Sequence, residues 1–141
     1  MKLKDNKLRI ICTPVKVVAD IEQYIEPMFN LMYESNGVGL AANQVGILQK
    51  FFIMDVSKVG TQKFVIINPT ITFRSKDTIL HQEGCLSYPG ELVFKKRHCV
   101  IKIEYTNLKG MRKVRKFKNK QAIIVQHELD HLLGKKFLKS D

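Results

Sequence analysis

The chain has 141 residues, 45% of them apolar, enough for one domain over 1–141 and too few for separate cofactor and substrate halves. No apolar run approaches the roughly 20 residues of a membrane helix, and residues 1–14 lack the apolar stretch of a secretory signal, so a cytoplasmic, membrane-free protein is expected. The net charge of +11 is uneven: residues 95–120 hold eleven Lys or Arg against Glu104 alone, and the other 115 residues come to +1. A solvated surface hairpin explains such a run; the functional reading is an anionic partner, nucleic acid first.

Asp20 predicts the N-cap of a helix over 20–33, with Ile21, Ile25, Met28 and Met32 at helical spacing. Pro27 predicts a kink or break in it, and Asn36 and Gly37 its end. Short β-type runs follow at 51–56, at 64–68, closed by Pro69, and at 71–74. Residues 99–105 alternate, with Cys99, Ile101, Ile103 and Tyr105 on one face. Asn107 and Gly110 mark a turn, and the return strand carrying Met111, Val114 and Phe117 is poorly patterned. Asn119 then predicts the cap of a helix over 119–133, and Gly134 its left-handed end, followed by Lys135 and Lys136. Ala122, Ile123, Ile124, Val125, Leu129, Leu132 and Leu133 make this helix apolar nearly all round, hence buried. Helix, many strands, helix, without a repeated βαβ unit, reads as an α+β fold with largely antiparallel sheets around the buried C-terminal helix.

That helix carries His127-Glu128-Leu129-Asp130-His131. Histidines four apart project from one face and can share a metal, and Glu128 can lean over the same site as a general base. Two core histidines satisfied by carbonyls are the structural reading, but so many polar groups in one buried helix need a metal or partners. A catalytic site takes three protein ligands and leaves a position for water. Only ten residues follow His131, so the third ligand is expected upstream, among Cys12, His81, Glu83, Cys85, His98 and Cys99. Cys85 stands out in Glu83-Gly84-Cys85-Leu86-Ser87-Tyr88-Pro89-Gly90, where glycine and proline suggest a fixed, irregular segment that delivers a thiolate. Cys12 and Cys99 read as core. Three cysteines at unrelated spacings do not form a disulfide framework, which suits a reducing compartment. The stretch from Gly37 to Gly46 has glycines two apart and then small residues. It allows close backbone approach to a ligand, lacks the G-x-G-x-x-G pattern, and offers the Gln44 carboxamide as a donor.

Taken together, GVGLAANQ at 37–44, EGCLS at 83–87 and QHELDH at 126–131 resemble the peptide deformylase family, whose three motifs they match in order. The resemblance runs from about Asp5, where Asp5-Asn6-Lys7-Leu8-Arg9 is similar to the family's entry motif, to Leu138. It implies a metal held by Cys85, His127 and His131, with ferrous iron in the cell and zinc, nickel or cobalt as substitutes. It implies removal of the N-formyl group from the initiator methionine of nascent peptides, with release of formate. Glu128 would be the general acid/base, and Gln44 and the Leu86 backbone N–H would stabilise the developing oxyanion. Backbone groups around Val38, Gly39 and Gly84 would pair with an extended peptide. Val38, Ile123, Ile124 and the His127 ring would wall a methionine-sized pocket, with His81 and Lys120 at positions that are usually apolar. Arg97 would pair with Asp130 or Glu83. Ending so soon after His131, the chain resembles short, phage-encoded forms without a long C-terminal helix, and a monomer is expected. Two other readings are an H-E-x-x-H endopeptidase and a basic ribosome- or RNA-binding module whose metal site is structural. The first is disfavoured by the missing downstream ligand, the second by a reactive glutamate beside the metal.

Overall fold

A computed structural model describes residues 1–4 and 8–135. Asp5, Asn6 and Lys7 of the entry motif, Lys136 and Leu138 lie outside the described residues. Among these described residues are two α-helices, α1 (Glu22–Glu34) and α2 (Asn119–Leu132). The strands are β1 (Gly39–Ala41), β2 (Phe51–Asp55), β3 (Lys63–Arg74), β4 (Thr78–Cys85), β5 (Tyr88–His98), β6 (Val100–Thr106) and β7 (Arg112–Lys118). Strands β1-β2-β3-β6-β7, in that order, form one sheet, β4 and β5 form a separate ribbon, and every pairing is antiparallel. The expected α+β architecture is therefore present.

The core lies on both faces of the five-stranded sheet. All five residues of β2 are buried. Phe52 and Met54 point to the cluster that includes Ile101, Ile103, Phe117 and the α2 side chains. Phe51 and Ile53 point the other way, to α1 and Ile67. Burial on two faces explains why this strand reads as a continuous apolar run rather than as an alternation. Helix α2 is buried at nine of its residues, as its all-round apolar pattern requires.

Several local expectations are corrected. Helix α1 runs unbroken through Pro27. Pro27 and Gln23 are both exposed, so the Gln23 carbonyl that loses its helical partner is open to water, while Ile25, Met28, Phe29 and Met32 stay packed. Asp20 does not cap it, because a 3-10 turn from Val18 to Ile21 precedes the helix, and neither segment has a side-chain cap. Its end is as expected: Asn36 takes φ 58°, and the Gly37 N–H reaches the Met32 carbonyl at 2.8 Å. Pro69 does not close a strand. The 64–68 and 71–74 runs belong to the single strand β3, and the ladder skips between Ile67 and Thr70, with Asn68 at φ 50°. The bulge removes the demand for a donor at Pro69. Asn119 takes φ 57° and makes no cap bond, whereas Gly134 closes α2 as expected, at φ 71°, with Lys135 N–H on the Asp130 carbonyl at 2.9 Å. Cys12 is core, and burial pushes its thiol up to about 11; Cys99 is only half-buried, because it sits at the corner between β5 and β6.

Candidate metal centre

Helix α2 sets the site. Its buried face turns His127 and His131 toward the β4–β5 ribbon, where Cys85 ends β4 just after a ladder irregularity at Gly84. The segment around Cys85 is irregular, as expected: the ladder passes from Gly84↔Leu92 to Cys85↔Tyr88, which leaves Pro89, Gly90 and Glu91 as a bulge on β5, with Gly90 at φ 78°. The Nε2 atoms of His127 and His131 are 3.2 Å apart, and Cys85 Sγ is 3.2 Å from His131 Nε2. All three donor atoms lie within 4.8 Å of one another, and among the described residues they form the group of His, Cys and acidic side chains able to hold an ion. Donors about 2.0–2.3 Å from one tetrahedral ion stand roughly 3.4–3.6 Å apart, so the spacing fits.

The electrostatics fit as well. Glu83 accepts His127 Nδ1–H at 2.8 Å, which leaves Nε2 facing Cys85 and His131. Burial pulls the His127 pKa down, but hydrogen bonds to Cys85 and Glu83 and the Glu128 charge outweigh it and hold it at about 10. Burial and the His127 charge push His131 down to about 3. Burial raises Glu128 to about 7, and its Oε1 is buried without a hydrogen-bond partner. An orphaned carboxylate oxygen beside a metal-type donor set is an acceptor awaiting a proton donor.

Arg97 forms a fork on Glu83, at 2.7 and 2.8 Å, and also reaches Asp130 at 2.6 Å. The expected alternatives are both realised, and the pair ties the ribbon to α2. Arg97 therefore belongs to the site, although it lies in the basic 95–120 run. Gln44 is oriented from three sides. Its Oε1 accepts from the Ala41 N–H at 2.9 Å, and its Nε2 donates to Ser87 Oγ at 3.1 Å and lies 3.5 Å from Cys85 Sγ. Gly39 is forced by contact: a Cβ there would stand 2.5 Å from Glu128 Oε2 and 2.9 Å from Ile124. A Cβ at Gly37 would meet Leu86 at 2.7 Å.

A cavity of about 620 Å³ opens over these groups, lined by Val38, Gly39, Gln44, Gly84, Cys85, Leu86, Ile123, Ile124, His127 and Glu128. His81 and Lys120 also line it. The strand β1 is an edge of its sheet, and β4 has a free edge in the ribbon. The Val38 carbonyl already accepts from the Asp55 N–H at 2.9 Å, so it faces β2 rather than the free edge. Antiparallel alternation then turns the Gly39 peptide groups to the free edge. Two residues were not singled out from the sequence. Ser87 holds the Gln44 amide, and Asn43 donates to the His131 carbonyl at 2.6 Å. Both lie inside the short motifs, which was the available signal. His98 has a structural part, with Nδ1 bonded to the Ser75 carbonyl at 2.7 Å.

An α+β chain with H-E-x-x-H on a buried helix, and a cysteine delivered from a neighbouring hairpin, defines the class of a thiolate-containing metallohydrolase. The comparisons identify which one. The model of the family described as polypeptide deformylase matches residues 1–140. The peptide deformylase of Hamiltonella defensa subsp. Acyrthosiphon pisum (strain 5AT) is 42% identical over 135 residues, covering 95% of this chain and 78% of that protein. The crystal structure of peptide deformylase from Thermotoga maritima aligns with TM-score 0.88 at 38% identity, over 96% of this chain and 94% of that one. PDF from the Vibrio parahaemolyticus bacteriophage VP16T, in complex with actinonin, aligns with TM-score 0.88 at 34% identity, over 97% and 100%. The chain belongs to the polypeptide deformylase family.

Proposed function

We propose that the chain, acting as one catalytic domain over 1–141, removes the formyl group from N-formylmethionyl peptides and releases formate. The observation that carries this reading is the convergence of Cys85, His127 and His131 beside the orphaned Glu128 carboxylate, in a cavity flanked by two free strand edges. Cys85, His127 and His131 would hold a divalent ion, which we take to be ferrous iron in the cell and replaceable by zinc, nickel or cobalt. When bound, such an ion supplies Lewis acidity that acidifies water and polarises a carbonyl.

The residues divide the remaining work. The substrate lies extended along the Gly39 edge of β1 and the Gly84 end of β4, as an added strand. Its methionine side chain enters between Val38, Ile123, Ile124 and the His127 ring. Glu128 takes a proton from the attacking water and returns it to the departing amine as the formyl C–N bond breaks. The Gln44 amide, held by Ala41 and Ser87, and the Leu86 N–H donate to the oxygen on which charge develops. Glu83 and Arg97 keep His127 in one tautomer and orientation. We place the enzyme as a monomer in the cytoplasm, where its basic 95–120 segment brings it to the ribosome that carries its substrate; no described helix is long and apolar enough to cross a membrane.

The test is formate release from a formyl-methionyl tripeptide, with an unformylated tripeptide as control, assayed without oxygen. Release from the first alone is expected, and Cys85→Ser is expected to lose both bound metal and activity. Cleavage of the unformylated peptide, or a Cys85→Ser protein with full metal and activity, would overturn the assignment.

A further inference from the structure

The basic segment does not act as one piece. Arg97 is buried in the site, Lys120 lines the cavity, and the β6–β7 register divides the rest between two faces. Tyr105↔Lys113 and Ile103↔Arg115 place Lys113 and Arg115 on the α2 side, where Arg115 stacks 4.7 Å over the Phe64 ring. Lys102↔Lys116 and Val100↔Lys118 place three lysines on the opposite side. That side is the α1 face of the sheet, because Ile67 packs with α1 and pairs with Thr106. Helix α1 covers its β1-β2-β3 half only, which leaves the β6–β7 half open. Phe73, 47% exposed, pairs with Lys102 on this open half, and the Lys102 ammonium stands 5.9 Å from its ring. Val114, 68% exposed, lies beside them. The acid of this half, Glu104, is already bonded to Arg112 at 3.1 Å. No ion pair among the described residues neutralises Lys102, Lys116 or Lys118.

Edge protection is the simplest explanation for lysines on β7, since charge on a free strand edge discourages pairing with another chain. It does not account for Lys102, which lies on β6 between two hydrogen-bonded neighbours, nor for an exposed phenylalanine beside it. An open sheet face with lysines around an accessible aromatic ring matches a chain of phosphates whose bases are free to stack.

We propose that the open face of β3, β6 and β7 binds single-stranded RNA, with Lys102, Lys116 and Lys118 on phosphates and Phe73 under an unpaired base. This rests on the ribosomal placement above and narrows it to one face and one ligand chemistry; it is independent of the deformylation chemistry. The test is fluorescence anisotropy of a labelled 12-nucleotide mixed-sequence RNA titrated with the metal-loaded enzyme across 50–200 mM salt. Binding should weaken with salt at a log–log slope of about −0.7 per phosphate contacted, and Lys102→Gln/Lys116→Gln/Lys118→Gln should remove about 2 from that slope. Phe73→Ser should weaken single-stranded RNA at least about fivefold and leave a duplex of equal length unaffected. Lys113→Gln/Arg115→Gln, on the other face, should bind RNA as the parent does. All three variants should keep the parent's rate of formate release, so loss of that activity in the parent would indict the deformylase reading and not this one. No salt-dependent RNA binding, full binding by the triple variant, equal loss from the opposite-face variant, or binding to phosphatidylserine vesicles in place of RNA would each overturn the proposal.

Discussion

Glu128 depends on a missing side chain. Because a Cβ at Gly39 would stand 2.5 Å from Glu128 Oε2, the glycine leaves the carboxylate its position beside β1. Gly39→Ala is expected to lower kcat at least about tenfold while metal content stays near the parent's, since the ligands are untouched; metal analysis beside steady-state kinetics checks this. Glu128→Gln keeps the shape and removes the proton carrier. It should retain the metal and lose about 10² to 10⁴ in kcat, read from formate release. At this scale the sequence was readable where chemistry is local. The four-residue spacing of His127 and His131 implies a shared face from helix geometry alone. That Cys85, and none of the five other upstream candidates, reaches them is a contact across 46 residues. Periodicity does not contain it; the EGCLS motif around Cys85 was the available signal.

The ribbon β4–β5 is an element that local patterning does not announce. Ile79, Leu80, Leu92 and Phe94 are all exposed, and the ribbon's two buried residues are the charged Glu83 and Arg97. Its attachment to α2 thus uses the bonds of Arg97 to Asp130, Glu83 to His127 and His98 to Gln126 rather than an apolar face, and the Arg97–Glu83 fork braces the ribbon's own two strands. The guanidinium holds the Glu83 carboxyl down to about 2, against burial that would raise it. Arg97→Ala would strip the buried Glu83 of its guanidinium and leave it the His127 N–H. The expected destabilisation is about 3–5 kcal/mol by urea denaturation, with metal affinity lowered about 10- to 100-fold by competition with a chelator. The proline corrections belong to this scale too. Pro27 and Pro69 carry the same backbone defect, and both were read as breaks. One lies on the solvent side of a helix packed along its other face, and the other falls in a bulge, so neither ends its element.

Across the whole molecule, the loop after β2 is joined to the end of α1 through Asp55. Its carboxylate accepts from Tyr33 Oη at 2.6 Å, from the Ser57 N–H at 2.9 Å and from the Gly60 N–H at 2.8 Å. Burial raises this carboxyl, but the hydrogen bonds outweigh it and bring the pKa from 3.8 to about 2. A depressed carboxylate stabilises the fold fully above its unfolded pKa, and the contribution disappears as pH falls through the folded value. The parent should therefore lose Tm between about pH 4 and pH 2. Asp55→Asn should melt lower than the parent at pH 7, with the gap closing toward pH 2, as followed by circular dichroism. A gap constant with pH would assign the loss to packing instead.

By itself the sequence determined the α+β class, the buried helix, two histidines on one face with a glutamate beside them, and the three short motifs that mark the family. These are properties of near neighbours in the chain, and helical and strand periodicity transmit them directly. The motifs also pointed to Cys85 and to an Arg97 pairing; only the tertiary structure decided that Cys85 meets the histidines, that Arg97 takes both Glu83 and Asp130, and which lysines share an open face. Those outcomes depend on strand register and on the packing of a ribbon against a helix, where residues far apart in the chain meet.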